Sequence, residues 1–441
     1  MPDPDMVNTG GGAYVKENVE AGTFIGRDQI VNYGYTAEQL DQLLQRLYEL
    51  LSNPQTELRA DTVQGRLTVT APNASYVTLS EQAATDLLPV ACRQADERAY
   101  LTALVVNPRY GRWAHQFVPL AGTLTTHDNP PGWADIPPEF TKLEVMGEGA
   151  QRQIRRIPLE DITQAIEGHP ALALLGEPGA GKTTTLHRLL FDAARTRLTT
   201  GKGYLPILLP LADYRDYPSP YTFLEEKWKQ SVGTPEMAQR LRQGELFLLC
   251  DALNEMPFRD ARDYRERVGA WRRFTQEWPG NRLIFTCRSR DYSEPLGLPQ
   301  VEIERLDNGR VQDFLKRYLA AELAGQSWDK LKDSPLLELV RNPYYLNMLA
   351  FLLAKGGCWP VNRAGLFQGF VMTLLGREQQ RGHPDWLGEE PLVQALAVLA
   401  ETMQPLGEGT RLAKKTLLAR LPQQVEGPDG SFGNRIGARS R

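Results

Sequence analysis

The run Gly176-Glu177-Pro178-Gly179-Ala180-Gly181-Lys182-Thr183 constrains this chain more than any other segment, because of what flanks it. Before it stands the apolar Ala171-Leu172-Ala173-Leu174-Leu175, and after it the helix-forming Thr184-Thr185-Leu186-His187-Arg188-Leu189-Leu190. A strand, a glycine-rich turn and a helix in that order aim backbone N–H groups, a lysine ammonium and the positive helix end at one point. The β- and γ-phosphates of a nucleotide fit there. In this reading Gly176 through Thr184 surround the phosphates, and Thr183 offers its hydroxyl to a magnesium ion. The plainer alternative is a glycine-rich turn joining a strand to a helix, and the flanking elements favour the phosphate loop.

The chain has 441 residues, which predicts about three domains, and 41% hydrophobic content, enough for sizeable cores. A net charge of -4 gives no global attraction to nucleic acid or anionic membrane. Basic runs such as Arg152-Gln153-Ile154-Arg155-Arg156 and Lys414-Lys415 are too short to argue otherwise. Cys92, Cys250, Cys287 and Cys358 lie far apart without CxxC pairing, so neither a zinc site nor a disulfide framework is indicated. No apolar stretch approaches the ~20 residues of a membrane span, and Met1 to Asn8 lacks a signal pattern. The expectation is a soluble protein of the cytoplasm.

From Ile157 onward strands and helices alternate, the mark of a parallel sheet with right-handed crossovers. Candidate strands are Ala171–Leu175, Leu205–Leu209, Leu246–Cys250, Leu283–Cys287 and Val301–Arg305. Ligands of such sheets bind beyond the carboxyl ends of the strands, so the residues just after each strand carry the chemistry. Leu246–Cys250 is followed by Asp251-Ala252-Leu253-Asn254-Glu255. That is the Walker B arrangement, in which Asp251 reaches the magnesium shell and Glu255 orients or deprotonates the attacking water. Without a phosphate loop upstream, an Asp after an apolar strand reads as a turn starter. Leu283–Cys287 ends at Arg288-Ser289-Arg290. Arg288 is placed to sense a γ-phosphate, or to pair with Asp291 on the surface.

Ahead of this region, Gly12-Ala13-Tyr14-Val15 is echoed by Gly22-Thr23-Phe24-Ile25, which suggests paired short strands or a flexible glycine-rich tail. Thr36 and Gln39 form a capping-box signature before Leu40, Leu43, Leu44, Leu47, Leu50 and Leu51, one face of a helix that must be buried. Packing within the chain is the default, with pairing to a second chain as the alternative. Further on, Arg66–Thr70 reads as a strand, and Gln82–Cys92 and Ala95–Val106 as helices. Glu81, Asp96 and Glu97 read as a solvated helix face. His127–Gly149, with Pro130-Pro131-Gly132 and Pro137-Pro138, reads as a linker or covering loop.

Together the phosphate loop and Asp251-Ala252-Leu253-Asn254-Glu255 resemble the NACHT NTPases, within the signal-transducing STAND class of P-loop proteins. Thr286-Cys287-Arg288 is similar to the family's strand-4 arginine motif. Asn342-Pro343-Tyr344-Tyr345-Leu346 is similar to the helical-domain motif whose proline, here Pro343, borders the adenine. The resemblance covers about Ile157 to Leu421. It implies an α/β fold with a sheet in the order 5-1-4-3-2, then a helical domain and a winged helix, with ADP held until a signal permits exchange. The expected domains are 1–53 (glycine-rich β repeats and an amphipathic helix), 54–125 (small α+β), 126–156 (linker) and 157–306 (nucleotide-binding). After these come 307–358 (helical), 359–425 (partial winged helix) and 426–441 (disordered tail).

Two departures from the pattern matter. Asn254 stands where many members have a second Asp, which removes a charge beside the metal site and points to slower hydrolysis, with Glu255 still available as base. At the other end, the chain closes on Gly427-Pro428-Asp429-Gly430-Ser431-Phe432-Gly433-Asn434-Arg435, and His383 sits in a context unlike the family's histidine-bearing segment. The chain therefore looks truncated or natively short.

The resulting expectation is an ATP/ADP- and Mg2+-binding switch with slow ATPase activity. Its setting, implied by the resemblance, is bacterial stress or antiphage signalling, with a homo-oligomer or an effector protein engaged through the N-terminal region. The alternatives are a ring-forming AAA-type motor, with Arg272, Arg273 or Arg290 as conceivable arginine fingers, and an inert nucleotide-binding scaffold.

Overall fold

A computed structural model of the chain describes residues 28–31, 37–61, 66–73, 75–127, 154–380, 388–403, 424–426 and 432–434. The Gly12–Ile25 repeats, Thr36, most of the 126–156 segment, His383 and Lys414-Lys415 lie outside these residues. The described residues fall into two compact units. One holds those up to Arg317 together with Arg341–Tyr344, and the other holds Tyr318–Val340 and those from Tyr345 onward.

The first unit opens with β1 (Asp28–Val31), α1 (Ala37–Leu51), β2 (Glu57–Asp61), β3 (Arg66–Thr70) and β4 (Tyr76–Ser80), followed by α2 (Glu81–Gln94) and α3 (Glu97–Val106). Short helices α4 (Pro108–Gly111) and α5 (Trp113–Gln116) complete this part. The strands form a four-stranded sheet in the order β1-β4-β3-β2. Leu40, Leu43, Leu44, Leu47 and Leu51 of α1 are all buried, so the leucine face read from the sequence packs inside the unit, against α2, α3 and β3. Helix α3 is buried along nearly its whole length because it lies on the helix that follows the phosphate loop.

The main sheet has seven strands: β5 (Gly122–His127), β6 (Ile154–Leu159), β7 (Ala171–Gly176), β8 (Leu205–Pro210), β9 (Leu246–Asp251), β10 (Arg282–Arg288) and β11 (Gln300–Ile303). Their order is β6-β5-β11-β7-β10-β9-β8. The parallel part, β11-β7-β10-β9-β8, is the expected order 5-1-4-3-2. Between the strands run α6 (Thr163–Gly168), α7 (Lys182–Thr200), α8 (Pro220–Ser231), α9 (Met237–Arg242) and α10 (Ala261–Glu277), and α11 (Asn308–Tyr318) follows β11. The step from β7 to β8 and the step from β9 to β10 travel in opposite directions along the sheet. With right-handed crossovers, α7 and α10 therefore cover opposite faces. This is why the inner strands read as unbroken apolar runs: both of their faces are buried. On the α10 side, Trp271 meets the rings of Phe285, Phe274, Phe223 and Tyr214.

Two expectations about segment boundaries are corrected here. Residues 122–127 and 154–159 are not the end of a small domain and of a linker. They pair antiparallel with each other, and β5 also pairs with β11, extending the main sheet. The alternation of β6 is weak because it is the edge strand, where Arg155, Arg156 and Pro158 are exposed. An edge needs such residues to discourage pairing with other chains. The other edge, β8, carries Pro206 and Pro210 to the same effect.

Glu97 is likewise not on a solvated face. Its carboxylate accepts from Arg197 of α7 at 2.5 Å and meets Arg240 of α9 at 2.7 Å. Asp96 caps α3 by accepting from the Arg98 N–H. Tyr100 donates to the Pro206 carbonyl at 2.9 Å, and Arg195 to the Thr56 carbonyl at 2.6 Å. The N-terminal layer and the main sheet thus share one set of buried and part-buried polar contacts, which no short-range pattern announces.

The second unit contains α12 (Ala321–Leu331), α13 (Leu336–Val340), most of α14 (Pro343–Ala354), α15 (Arg363–Gln380) and α16 (Glu389–Met403). It also contains β12 (Gln424–Glu426) and β13 (Phe432–Asn434), which pair antiparallel. The expectation of a disordered tail over 426–441 is therefore corrected at this pair.

Candidate functional site

The site is assembled where β7, β9 and β10 end side by side. β7 hands over to the loop at Gly176, and α7 begins at Lys182 with Gly181 as its N-cap residue at φ 100°. Only glycine occupies such a conformation without strain. No side chain caps this helix end, so the N–H groups of its first turn face the loop. Gly179, at φ 78°, is pressed from outside: a Cβ there would come within 2.7 Å of the Tyr344 Cβ.

The Lys182 ammonium donates to the carbonyls of Gly176 at 2.7 Å and Glu177 at 2.9 Å. Burial pulls its pKa below the ordinary lysine value. Arg288 acts in the same direction, while Cys287, Asp251 and Glu302 act against it. The Thr183 hydroxyl donates to the Asp251 carboxylate, with its oxygen 3.1 and 3.0 Å from Oδ1 and Oδ2. Thr184 follows on the same turn of α7.

Asp251 closes β9 and is held from a second side by the Thr286 hydroxyl of β10, which donates to its Oδ1 at 2.6 Å. The same hydroxyl accepts from the Ala252 N–H at 2.7 Å. Ala252 adopts a left-handed conformation at φ 60°, turning the chain from β9 into the short helical turn Leu253–Glu255. The turn is fixed to β10 by Asn254, whose side-chain oxygen accepts from the Arg288 N–H at 3.2 Å.

The Arg288 guanidinium lies 3.8 Å from Glu255 and 3.8 Å from Asp291, and all three side chains are part-exposed. The surface pairing with Asp291 suggested by the sequence is therefore present, and Glu255 is a second partner that the sequence did not suggest. Exposed pairs at this distance hold weakly, so Arg288 is available to a more highly charged ligand.

On the other side of the loop, Glu177, Ala180, Glu302, Arg305, Asn342 and Pro343 line a cavity of about 160 Å³. Glu177 pairs with Arg305 at 3.0 Å. The sequence-predicted residues thus form one continuous strip, from Arg288 and Glu255 through Asp251, Thr183 and Lys182 to Glu177, Ala180 and Pro343.

Three contributors were missed. Thr286 is a polar residue within a buried strand, but its partner becomes evident only once β9 and β10 are known to be neighbours. Asn342 stood beside Pro343 in the motif without a role of its own. The Ser289 hydroxyl follows Arg288 at the end of β10, but its partner Glu302, which it reaches past the end of β7, had no sequence signal.

Residues 171–322 match the family model of the NACHT domain. No curated protein matches the chain. Among solved structures, it is similar to a Walker-type ATPase of Pyrococcus abyssi at 16% identity, covering 62% of this chain and 90% of that one, with a TM-score of 0.30. It is also similar to a Signal Transduction ATPase with Numerous Domains (STAND) protein with a tetratricopeptide repeat sensor from Pyrococcus horikoshii. There the identity is 11%, covering 62% of this chain and 40% of that one, with a TM-score of 0.30. The strand order, the loop between β7 and α7, the acid at the end of β9 and the family match together identify residues 171–322 as a NACHT domain on a P-loop NTPase fold.

Proposed function

We propose that the protein binds ATP and ADP with Mg2+ at this strip and acts as a nucleotide-dependent conformational switch with slow hydrolysis, serving defence or stress signalling in the cytoplasm. The observation that carries this reading is the convergence of Lys182, Thr183 and Asp251. An ammonium, a hydroxyl and a carboxylate from separate strand ends meet beside an uncapped helix N-terminus.

The donor set fits magnesium. Thr183 and Asp251 supply hard oxygen ligands already within hydrogen-bond distance of each other, and nucleotide phosphates and water complete such a shell. When bound, the ion would neutralise charge on the β- and γ-phosphates. Lys182 holds the phosphates as a point charge, the N–H groups of the loop and of α7 orient them, and Glu255 positions the attacking water. Arg288 exchanges its weak contacts with Glu255 and Asp291 for the γ-phosphate, which makes the rim of β10 responsive to whether that phosphate is present. Glu177, Ala180 and Pro343 border the nucleoside.

As for the motor reading, one candidate finger, Arg272, donates to the Pro295 carbonyl of its own chain. Among the described residues no helix is long and apolar enough to cross a membrane. The test is chromatography of nucleotide released by denaturing the purified protein. Near-stoichiometric ADP is expected of a switch. Nucleotide-free protein turning over at roughly tens per second would select the motor instead.

A further inference from the structure

We propose that Asn342 is a positioning residue of the phosphate loop, holding the Pro178–Gly179 turn in its phosphate-binding shape; the inference rests on the nucleotide-binding reading of the same site. Asn342 is 8% exposed, a buried polar side chain. Its amide nitrogen donates to the Pro178 carbonyl at 2.9 Å, and its oxygen accepts from the Tyr344 N–H at 3.0 Å. The carbonyl can only accept and the N–H can only donate, so the network admits a single orientation of the amide.

The Tyr344 N–H also lies 3.2 Å from the Gly179 carbonyl. Two successive carbonyls of the loop are therefore bound from outside by one three-residue segment. That segment is itself anchored: the Leu306 N–H donates to the Arg341 carbonyl at 2.8 Å, and Arg341 donates to the Leu306 carbonyl and the Asn308 side chain, each at 2.9 Å.

The consequence follows from peptide geometry. Within one trans peptide plane the C=O and the N–H point in opposite directions. Pinning the Pro178 carbonyl toward Asn342 aims the Gly179 N–H away from it. Gly179, at φ 78°, has the backbone freedom of glycine, and the added contact removes freedom that would otherwise be lost on phosphate binding. Only an amide of this length supplies both the donor and the acceptor. Aspartate keeps the acceptor for Tyr344 but sets a carboxylate against the Pro178 carbonyl, and alanine supplies neither.

The experiment compares wild type with Asn342→Ala and Asn342→Asp. Hydrogen exchange of the Gly179, Ala180 and Gly181 amides is measured in the nucleotide-free proteins, and Mg-ATP affinity by calorimetry. Both variants are expected to exchange about tenfold faster at these amides and to bind Mg-ATP about tenfold more weakly, with exchange in β9 and α10 unchanged. The near-isosteric Asp variant isolates the bond to Pro178. Loop exchange equal to wild type in that variant would overturn the proposal, as would acceleration spread evenly over the whole unit. Failure of the nucleotide-binding reading shows separately, as wild type that does not bind Mg-ATP, and the exchange measurement still decides the role of Asn342.

Discussion

The Thr183 hydroxyl, from the first turn of α7, lies 3.0 and 3.1 Å from the two carboxylate oxygens of Asp251, from the end of β9. Residues from two separate crossovers are brought together because β10, inserted between β7 and β9, ends at the same height and supplies the Thr286 hydroxyl to Asp251. If this pair holds Mg2+, Asp251→Asn should leave the secondary structure unchanged and abolish the gain in ATP affinity that Mg2+ gives the wild type. The comparison is ATP titration with Mg2+ and with EDTA. A variant that keeps the full Mg2+ dependence would assign the ion to other residues.

Ala252 makes a second prediction available. A residue with a Cβ at φ 60° carries roughly 1 kcal/mol of backbone strain, which glycine does not. Ala252→Gly is expected to be neutral or stabilising by up to about 1 kcal/mol, the greater freedom of glycine in the unfolded chain offsetting part of the gain. Ala252→Val, branched at Cβ, is expected to destabilise by more than about 1 kcal/mol. Urea unfolding of the two variants measures both, and equal stabilities would remove strain from the account of this turn.

His187, on α7, meets the Tyr110 ring edge-on at 5.0 Å. Burial lowers its pKa from 6.5 to about 4, with Arg109 and Arg112 adding to the effect. Above pH 6.5 the imidazole is neutral whether the chain is folded or unfolded. Between 6.5 and about 4 the unfolded chain takes up the proton and the folded chain does not, so stability falls as pH falls through that window. The full loss is about 3 kcal/mol, and it is complete below the folded pKa. Melting of wild type and His187→Gln at pH 7.5 and pH 5 should show the variant losing less on acidification; parallel losses would place the acid sensitivity elsewhere.

How much of this could be read from the chain depended on the range of each interaction. The loop from Gly176 to Thr183, the strand runs and the acids after β9 are local patterns, and the order of the parallel strands followed from the family resemblance. The leucine face of α1 was also evident, since i, i+3 and i+4 spacing is local. What could not be read were partnerships made by the sheet itself: Thr286 with Asp251, Glu97 with Arg197 and Arg240, and β5 with β11. Each joins segments far apart in sequence, and each partner taken alone is an ordinary polar residue or a short strand. Of the two antiparallel strands, β6 was hidden because its edge position carries arginine and proline and so resembles loop sequence, and β5 because its run Gly122-Thr123-Leu124-Thr125-Thr126-His127 holds a single aliphatic side chain.

The central claim is that the loop before α7 grips a nucleotide through Lys182, and calorimetric titration of Mg-ATP into wild type and Lys182→Ala tests it most directly. A charge-assisted contact of this kind predicts binding about a hundredfold weaker in the variant, with an unchanged melting temperature in the absence of nucleotide. Equal affinities in the two proteins would contradict it.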